Sequence, residues 1–245
     1  MQTKIRDLIK PHLKSIQTFS PVDPPEILAK QSGIPEGKLI KLNGNENPYG
    51  CSSMVAEAIS KATVHLYPDP LQRKVRNALG KYTGMDPDYI IAGAGSDELI
   101  DLVLRLFISP GEHILDSDPT FAMYAFLARV SGADIVMAPR NEVFDLDVTA
   151  ITKAMNSNTK IIFITSPNNP TGNMASKSQV EEILETGRII VVDEAYYEFS
   201  KQTVVDLIHD YENLVVLRTM SKWAGLAGLR IGYGIMHPKL VNHII

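Results

Sequence analysis

The hydrophobic positions of this chain fall into short blocks whose periodicity alternates. Residues 89–92, 113–116, 134–138, 160–165, 188–192, 214–217 and 231–235 are apolar runs with the length and β-branched content of buried strands. Between them lie stretches with helical spacing, at about residues 96–108, 120–130, 147–155 and 177–186. Near-continuous apolar strands separated by helices predict an α/β fold, a mostly parallel central sheet with helices on both faces. Ligands in such sheets bind beyond the carboxyl ends of the strands, so the loops that follow strands are where chemistry is expected.

Upstream the pattern changes. Residues 1–38 are interrupted by Pro11, Pro21, Pro24, Pro25 and Pro35, which leaves room only for short helical patches at 3–9 and 25–31. A polar, turn-rich stretch at 41–50 precedes a helix at about 53–61. A loop holding Tyr67-Pro68-Asp69-Pro70 then leads to a helix at about 71–82, with Leu71, Val75 and Leu79 four apart. We therefore read 1–45 as an N-terminal arm or small-domain segment and 46–245 as one large domain. The last residues, 239–245, continue an apolar amphipathic pattern without a C-cap, so a further segment is expected to follow.

Composition narrows the class. With 245 residues, 44% hydrophobic and 21% charged, the chain has the make-up of a soluble globular protein. A net charge of -4 without a Lys/Arg cluster argues against nucleic acid as a partner. The single cysteine, Cys51, excludes an internal disulfide and a cysteine-rich metal site and fits a reducing compartment. No signal core or membrane-spanning run is present in the sequence, so a cytoplasmic location is expected.

Candidate chemistry clusters after the strands. The apolar run ending at Leu217 leads into Thr219-Met220-Ser221-Lys222, then Gly225, Gly228 and Arg230. A lysine amine among small residues, with a hydroxyl and a guanidinium nearby, suits an aldehyde cofactor that carries a phosphate: the amine forms a Schiff base and Ser221 and Arg230 hold the dianion. An ordinary loop with a solvated lysine fits this stretch equally. Gly93-Ala94-Gly95-Ser96-Asp97-Glu98 places glycines at a strand end and Ser96 at an expected helix N-cap, an anion seat. A plain capped turn also explains it, and its glycine spacing is wrong for a dinucleotide fingerprint. Ser166-Pro167-Asn168-Asn169-Pro170 makes a rigid turn that could hold the Asn169 amide still, or is simply a turn. Asp193, closing a buried strand, needs a partner. A protonated pyridine nitrogen would serve, whereas no neighbouring histidine favours a metal. Phe121 could stack on a planar ring or belong to the core.

In this order the motifs resemble the pyridoxal-phosphate-dependent aminotransferases of fold type I, specifically the histidinol-phosphate aminotransferase branch of class I/II. The resemblance runs from about Leu39 onward. It is carried by Asn45-Glu46-Asn47-Pro48-Tyr49-Gly50, Tyr67-Pro68-Asp69-Pro70, Gly95-Ser96-Asp97-Glu98, Asn169-Pro170-Thr171-Gly172, Asp193-Glu194-Ala195-Tyr196 and Ser221-Lys222 with Gly225-Leu226-Ala227-Gly228-Leu229-Arg230. It implies pyridoxal 5'-phosphate as cofactor and amino transfer between glutamate and imidazole-acetol phosphate, or the reverse. It implies that Lys222 binds the cofactor and then serves as the base. Burial beside other cations is expected to hold that amine neutral. By the same resemblance Asp193 pairs with the pyridine nitrogen, Asn169 and Tyr196 hydrogen-bond the phenolic oxygen, and Phe121 stacks on the ring. Ser221, Arg230 and the groups at Gly95, Ser96 and Asp97 would hold the phosphate. Tyr67 would reach the phosphate of the neighbouring subunit in a homodimer.

Departures from the family pattern are Ala94 in place of asparagine, Phe121 in place of tyrosine, and the order Trp223-Ala224. The family's C-terminal small domain, roughly a hundred residues on domain-size grounds, has no counterpart in these 245 residues. It carries the arginine for the substrate's anionic group. A threonine-phosphate decarboxylase, an aromatic-amino-acid aminotransferase, or an inactive paralogue that only binds cofactor or partner are the alternatives.

Overall fold

The computed structural model describes residues 4–17 and 22–245. The expected helical patch at 3–9 begins at Thr3, and Pro21 of the proline series also lies outside the described residues; what is described of that patch is a short helix, α1 (Ile5–Leu8). Then follow α2 (Pro25–Ser32), α3 (Ser53–Ser60) and α4 (Arg73–Thr83) before the first strand. From there strands and helices alternate as expected: β1 (Ile90–Ala94), α5 (Ser96–Phe107), β2 (His113–Asp118), α6 (Met123–Ser131), β3 (Asp134–Pro139), α7 (Val148–Ala154), β4 (Thr159–Thr165), α8 (Lys177–Leu184) and β5 (Ile189–Asp193). A short α9 (Tyr197–Ser200), β6 (Leu214–Thr219), β7 (Ile231–Met236) and α10 (Pro238–Ile244) complete the order.

The strands form one seven-stranded sheet in the order β1-β7-β6-β5-β4-β2-β3. All pairings are parallel except those of β7, which runs antiparallel to both β1 and β6. Because β7 reverses twice, the carboxyl ends of β1, β6, β5, β4 and β2 share one edge of the sheet, and β7 begins there. Alternate side chains of each strand enter opposite cores, as a two-sided sheet requires. Ile91, Ile114, Ile161, Phe163, Val191 and Val215 pack under α5, α6 and α10. Ile90, Leu115, Ile162, Ile190, Val192 and Val216 pack under α4, α7 and α8.

Local chemistry sets the helix ends. Ser176 and Gln179 close a reciprocal capping box on α8. Gly84 and Gly132 end α4 and α6 in the left-handed conformation, which glycine adopts without a Cβ clash. Helix α6 starts three residues later than expected from the sequence, at Met123, with Thr120 and Phe121 in the turn after β2 and Ala122 as its N-cap. Among the described residues no helix is long and apolar enough to cross a membrane.

Candidate active site

At the carboxyl edge, one cavity of ≈ 370 Å³ is lined by Ser96, Asp97, Phe121, Asn169, Asp193, Tyr196, Ser221, Lys222 and Arg230. These nine sequence candidates come from five strand connections. The sheet brings them together because each follows a strand ending at that edge, or, for Arg230, precedes the strand that starts there.

Lys222 follows β6 and is partly buried, with Nζ 5.9 Å from the centroid of the Tyr196 ring. Burial pushes its amine below the usual lysine range, while Asp97, Asp193 and Glu46 pull it back up and Arg230 adds a smaller push down. The direction and the role of burial match expectation, but the neighbouring charges are mostly anions rather than cations.

Asp193 is 3% exposed. Its Oδ2 accepts the Tyr124 hydroxyl at 2.7 Å and its Oδ1 accepts the Ala195 amide at 3.0 Å. Burial raises its pKa to about 6 against these two donors. On the other side of the cavity, Arg230 Nη2 lies 3.1 Å from Asp97 Oδ2. Ser221 is held by Thr219, whose Oγ1 donates to Ser221 Oγ at 2.9 Å.

The anion seat forms differently from the sequence reading. Gly95, not Ser96, occupies the N-cap of α5, and Ser96 is the first helical residue. The reason is conformational: the chain turns from β1 into α5 at φ 84°, ψ 169°, a combination open to glycine and strained for serine. The free N–H groups of the first turn still face the cavity edge, next to Arg230.

Tyr67, in contrast, is fully exposed and does not line this cavity. The structure also brings in residues that sequence reasoning missed. Tyr124 and Thr165 line the cavity behind Asp193. Asn45 Nδ2 donates to Tyr196 Oη at 2.8 Å. Tyr124 sits in a helical apolar pattern and so reads as core; the usable signal was that a buried tyrosine hydroxyl needs a partner.

The fold is that of the fold type I aminotransferases. The histidinol-phosphate aminotransferase of Sinorhizobium meliloti, solved in complex with pyridoxal-5'-phosphate, superposes with a TM-score of 0.81 at 26% identity, over 96% of this chain and 64% of that one. An aspartate aminotransferase double mutant from Thermus thermophilus shares the fold with a TM-score of 0.79 at 21% identity, over 96% of this chain and 66% of that one. Residues 37–245 match the model of the aminotransferase class I and II family, and the chain belongs to that family. In sequence it is 45% identical to the histidinol-phosphate aminotransferase of Roseiflexus castenholzii over 100% of this chain and 68% of that protein. It is 44% identical to a chloroplastic histidinol-phosphate aminotransferase of Arabidopsis thaliana, over 96% of this chain and 57% of that protein. The chain thus spans between about half and two thirds of the length of the relatives it matches.

Proposed function

We propose that residues 46–245 are the cofactor-binding large domain, and 1–45 an arm, of a pyridoxal 5'-phosphate-dependent aminotransferase. It moves an amino group between glutamate or 2-oxoglutarate and histidinol phosphate or imidazole-acetol phosphate. The observation that carries this reading is the convergence of Lys222, Asp193 and Arg230 on one cavity. The names of the relatives at 45% and 44% identity support the substrate.

The residues fit the cofactor. Asp193 is a buried carboxylate whose bonded partners are neutral donors, a setting that a cationic ring nitrogen would complete. Gly95 and Arg230 approach so closely that a Cβ on Gly95 would stand 2.5 Å from Arg230 Nη2, so the guanidinium lies against the start of α5, where the amides of a helix N-terminus favour an anion. When bound, pyridoxal phosphate supplies an aldehyde for amine capture and a conjugated ring that takes up electrons.

The chain's own groups then divide the work. Lys222 Nζ, kept below its usual pKa by burial, would hold the aldehyde and would be the base for the substrate's Cα proton. Asp193 keeps the ring nitrogen protonated. Asn169 and Tyr196 orient the phenolic oxygen, with Tyr196 itself held by Asn45. Phe121 covers the ring face. Ser221, Arg230 and the first-turn amides of α5 hold the phosphate.

A homodimer fits the exposed apolar side chains of Tyr49, Met54, Val64 and Leu66, and Tyr67 among them is free to reach a neighbouring site. A cytoplasmic location fits the single exposed, unpaired Cys51.

Adding pyridoxal phosphate to the purified chain should generate a visible absorbance band that is lost in Lys222→Ala; a colourless wild-type protein defeats the proposal. Half-transamination with histidinol phosphate, threonine phosphate and phenylalanine then tests the substrate. Histidinol phosphate should be the best amine donor, and the substrate assignment fails if it is the poorest.

A further inference from the structure

Strand β1 ends the sheet, with β7 on one side and no strand on the other among the described residues. Such an edge leaves alternate N–H and C=O groups without a ladder partner. On β1 other parts of the chain supply the partners. Ile90 N donates to the Pro87 carbonyl, and Ala94 N donates to the Glu98 carboxylate. Between them, the side chain of Gln72 takes both groups of Ala92. Its Oε1 accepts from Ala92 N at 2.8 Å, and its Nε2 donates to Ala92 O at 2.9 Å. A side-chain amide carries the same donor and acceptor as a peptide, so Gln72 makes the bonds of one further strand residue.

Gln72 departs from ordinary local preference to do so. Its backbone is left-handed, at φ 54° and ψ 26°, a conformation that strains a residue with a Cβ. It stands at the N-cap of α4 yet its side chain makes no capping bond. Asp69 caps the helix instead, accepting the Leu71 amide at 3.1 Å and the Arg73 amide at 3.0 Å, and its carbonyl takes the Gln72 N–H at 2.9 Å. Two local rules are broken while the side chain makes two well-formed bonds to the sheet. That combination marks a site where position outweighs propensity.

The strand that Gln72 holds leads straight into the anion seat. Gly95 follows at the N-cap of α5, and Gly232 on β7 presses against it from the inner side. The end of β1 is therefore gripped between β7 and the Gln72 amide just before it delivers the first-turn amides of α5 to Arg230.

We propose that Gln72 is a positioning residue for the phosphate seat: its side-chain amide acts as the outer partner of β1 and, through Ala92, fixes where Gly95 and the first turn of α5 stand against Arg230. This role rests on the reading of that seat given above; the Gln72–Ala92 bonds do not depend on it.

Amide hydrogen exchange on the cofactor-free protein reads the bonds themselves. In Gln72→Gly, which relieves the backbone angle and removes the amide, the Ala92 N–H should exchange at least about tenfold faster than in wild type. Absorbance titration at Lys222 then reads the role, using pyridoxal phosphate and, separately, pyridoxal, which has the same aldehyde and ring but no phosphate. Wild type should prefer pyridoxal phosphate. Gln72→Gly should lower the affinity for pyridoxal phosphate by about tenfold and that for pyridoxal by less than about twofold. Gln72→Met keeps the side-chain length and drops both bonds, and it should behave in the same way, which separates the lost amide from the relieved backbone. The proposal is overturned if the Ala92 N–H stays protected in both variants, or if freeing it leaves the preference for the phosphate unchanged. A wild type that binds the two compounds equally defeats the phosphate seat and this role with it; a selective wild type whose variants stay selective defeats the role of Gln72 alone.

Discussion

Gly232 on β7 runs so close to Gly95 that a Cβ built on it would stand 2.3 Å from the Gly95 carbonyl carbon and 2.3 Å from Ser96 N. This contact is where the antiparallel strand, just after Arg230, presses against the start of α5. It sets the spacing between the guanidinium and the first-turn amides. Gly232→Ala cannot be absorbed by a flexible side chain, because both contacts are backbone. We expect a loss of about 3 kcal/mol or more in urea unfolding, by the overpacking mechanism. Binding of inorganic phosphate should weaken in parallel. A variant with wild-type stability and phosphate binding would show that the two loops are not held in register by this contact.

The pH dependence of stability follows from Asp193. Its folded pKa of about 6 lies above the ordinary 3.8, so the native state binds its proton more tightly than the unfolded chain does. Below about pH 4 both states are protonated and the group costs nothing. As pH rises from there to about 6 the native state alone keeps the proton, and stability falls; above that range the penalty is constant, on the order of 1–3 kcal/mol. In the cofactor-free protein, Asp193→Asn should therefore match wild type near pH 4 and exceed it in stability at pH 7.5. Denaturant titrations at both pH values check this, and a difference independent of pH would refute it.

Much of this architecture is legible in the sequence. The apolar runs marked every strand to within about two residues, since β-branched blocks buried on both faces leave little ambiguity. The antiparallel sense of β7 was not legible: its run Ile231-Gly232-Tyr233-Gly234-Ile235 looks like any buried strand, and only the short return from Lys222 hints that no crossover helix fits. Lys222, Asp193 and Arg230 could be found because a charged residue at the end or the start of an apolar strand demands an explanation. Thr165 and Thr120 could not, and Tyr124 offered only the need of a buried hydroxyl for some partner, because a hydroxyl in an apolar pattern carries no sign of what it bonds across the sheet. Ser96 was misplaced by one position because N-cap preference favours serine over glycine, and the backbone angle that overrides the preference is invisible in sequence.

Arg218 and Glu194 form a fully buried pair one residue beyond the cavity wall, each side chain 2% exposed and Nη2–Oε2 at 2.8 Å. Glu194 also accepts from Thr203 and the Val204 amide, and Arg218 lies 3.6 Å over the Tyr197 ring. The pair fixes the loop that carries Tyr196. Removing one partner leaves an uncompensated buried charge, so Arg218→Met should destabilise by about 3–5 kcal/mol. The double variant Arg218→Met with Glu194→Gln should recover a large part of that loss. If the single and double variants unfold alike, the charge itself is not what the pair neutralises.

Trp223, the one tryptophan of the chain, adjoins Lys222 and reports on it. Its ring stacks on Tyr82 at 5.8 Å and 7°, and its carbonyl accepts from Asn47 Nδ2 at 3.1 Å. Tyr82 in turn donates to Glu198 Oε1 at 3.1 Å. The indole is thus stacked on α4, and the Trp223 backbone is tied to the 45–50 loop. A chromophore attached at Lys222 would sit within energy-transfer range of this emitter. Titrating pyridoxal phosphate should quench tryptophan fluorescence to a saturating limit, and Lys222→Ala should lose the high-affinity phase. Trp223→Phe keeps the stacking on Tyr82 and should retain cofactor binding by absorbance while losing the fluorescence signal. Trp223→Ala removes the stack, and we expect cofactor affinity to fall by about tenfold, or ~1.4 kcal/mol, with the lysine loop freed from α4. Equal affinities for the phenylalanine and alanine variants would show that the stack plays no part in placing the lysine.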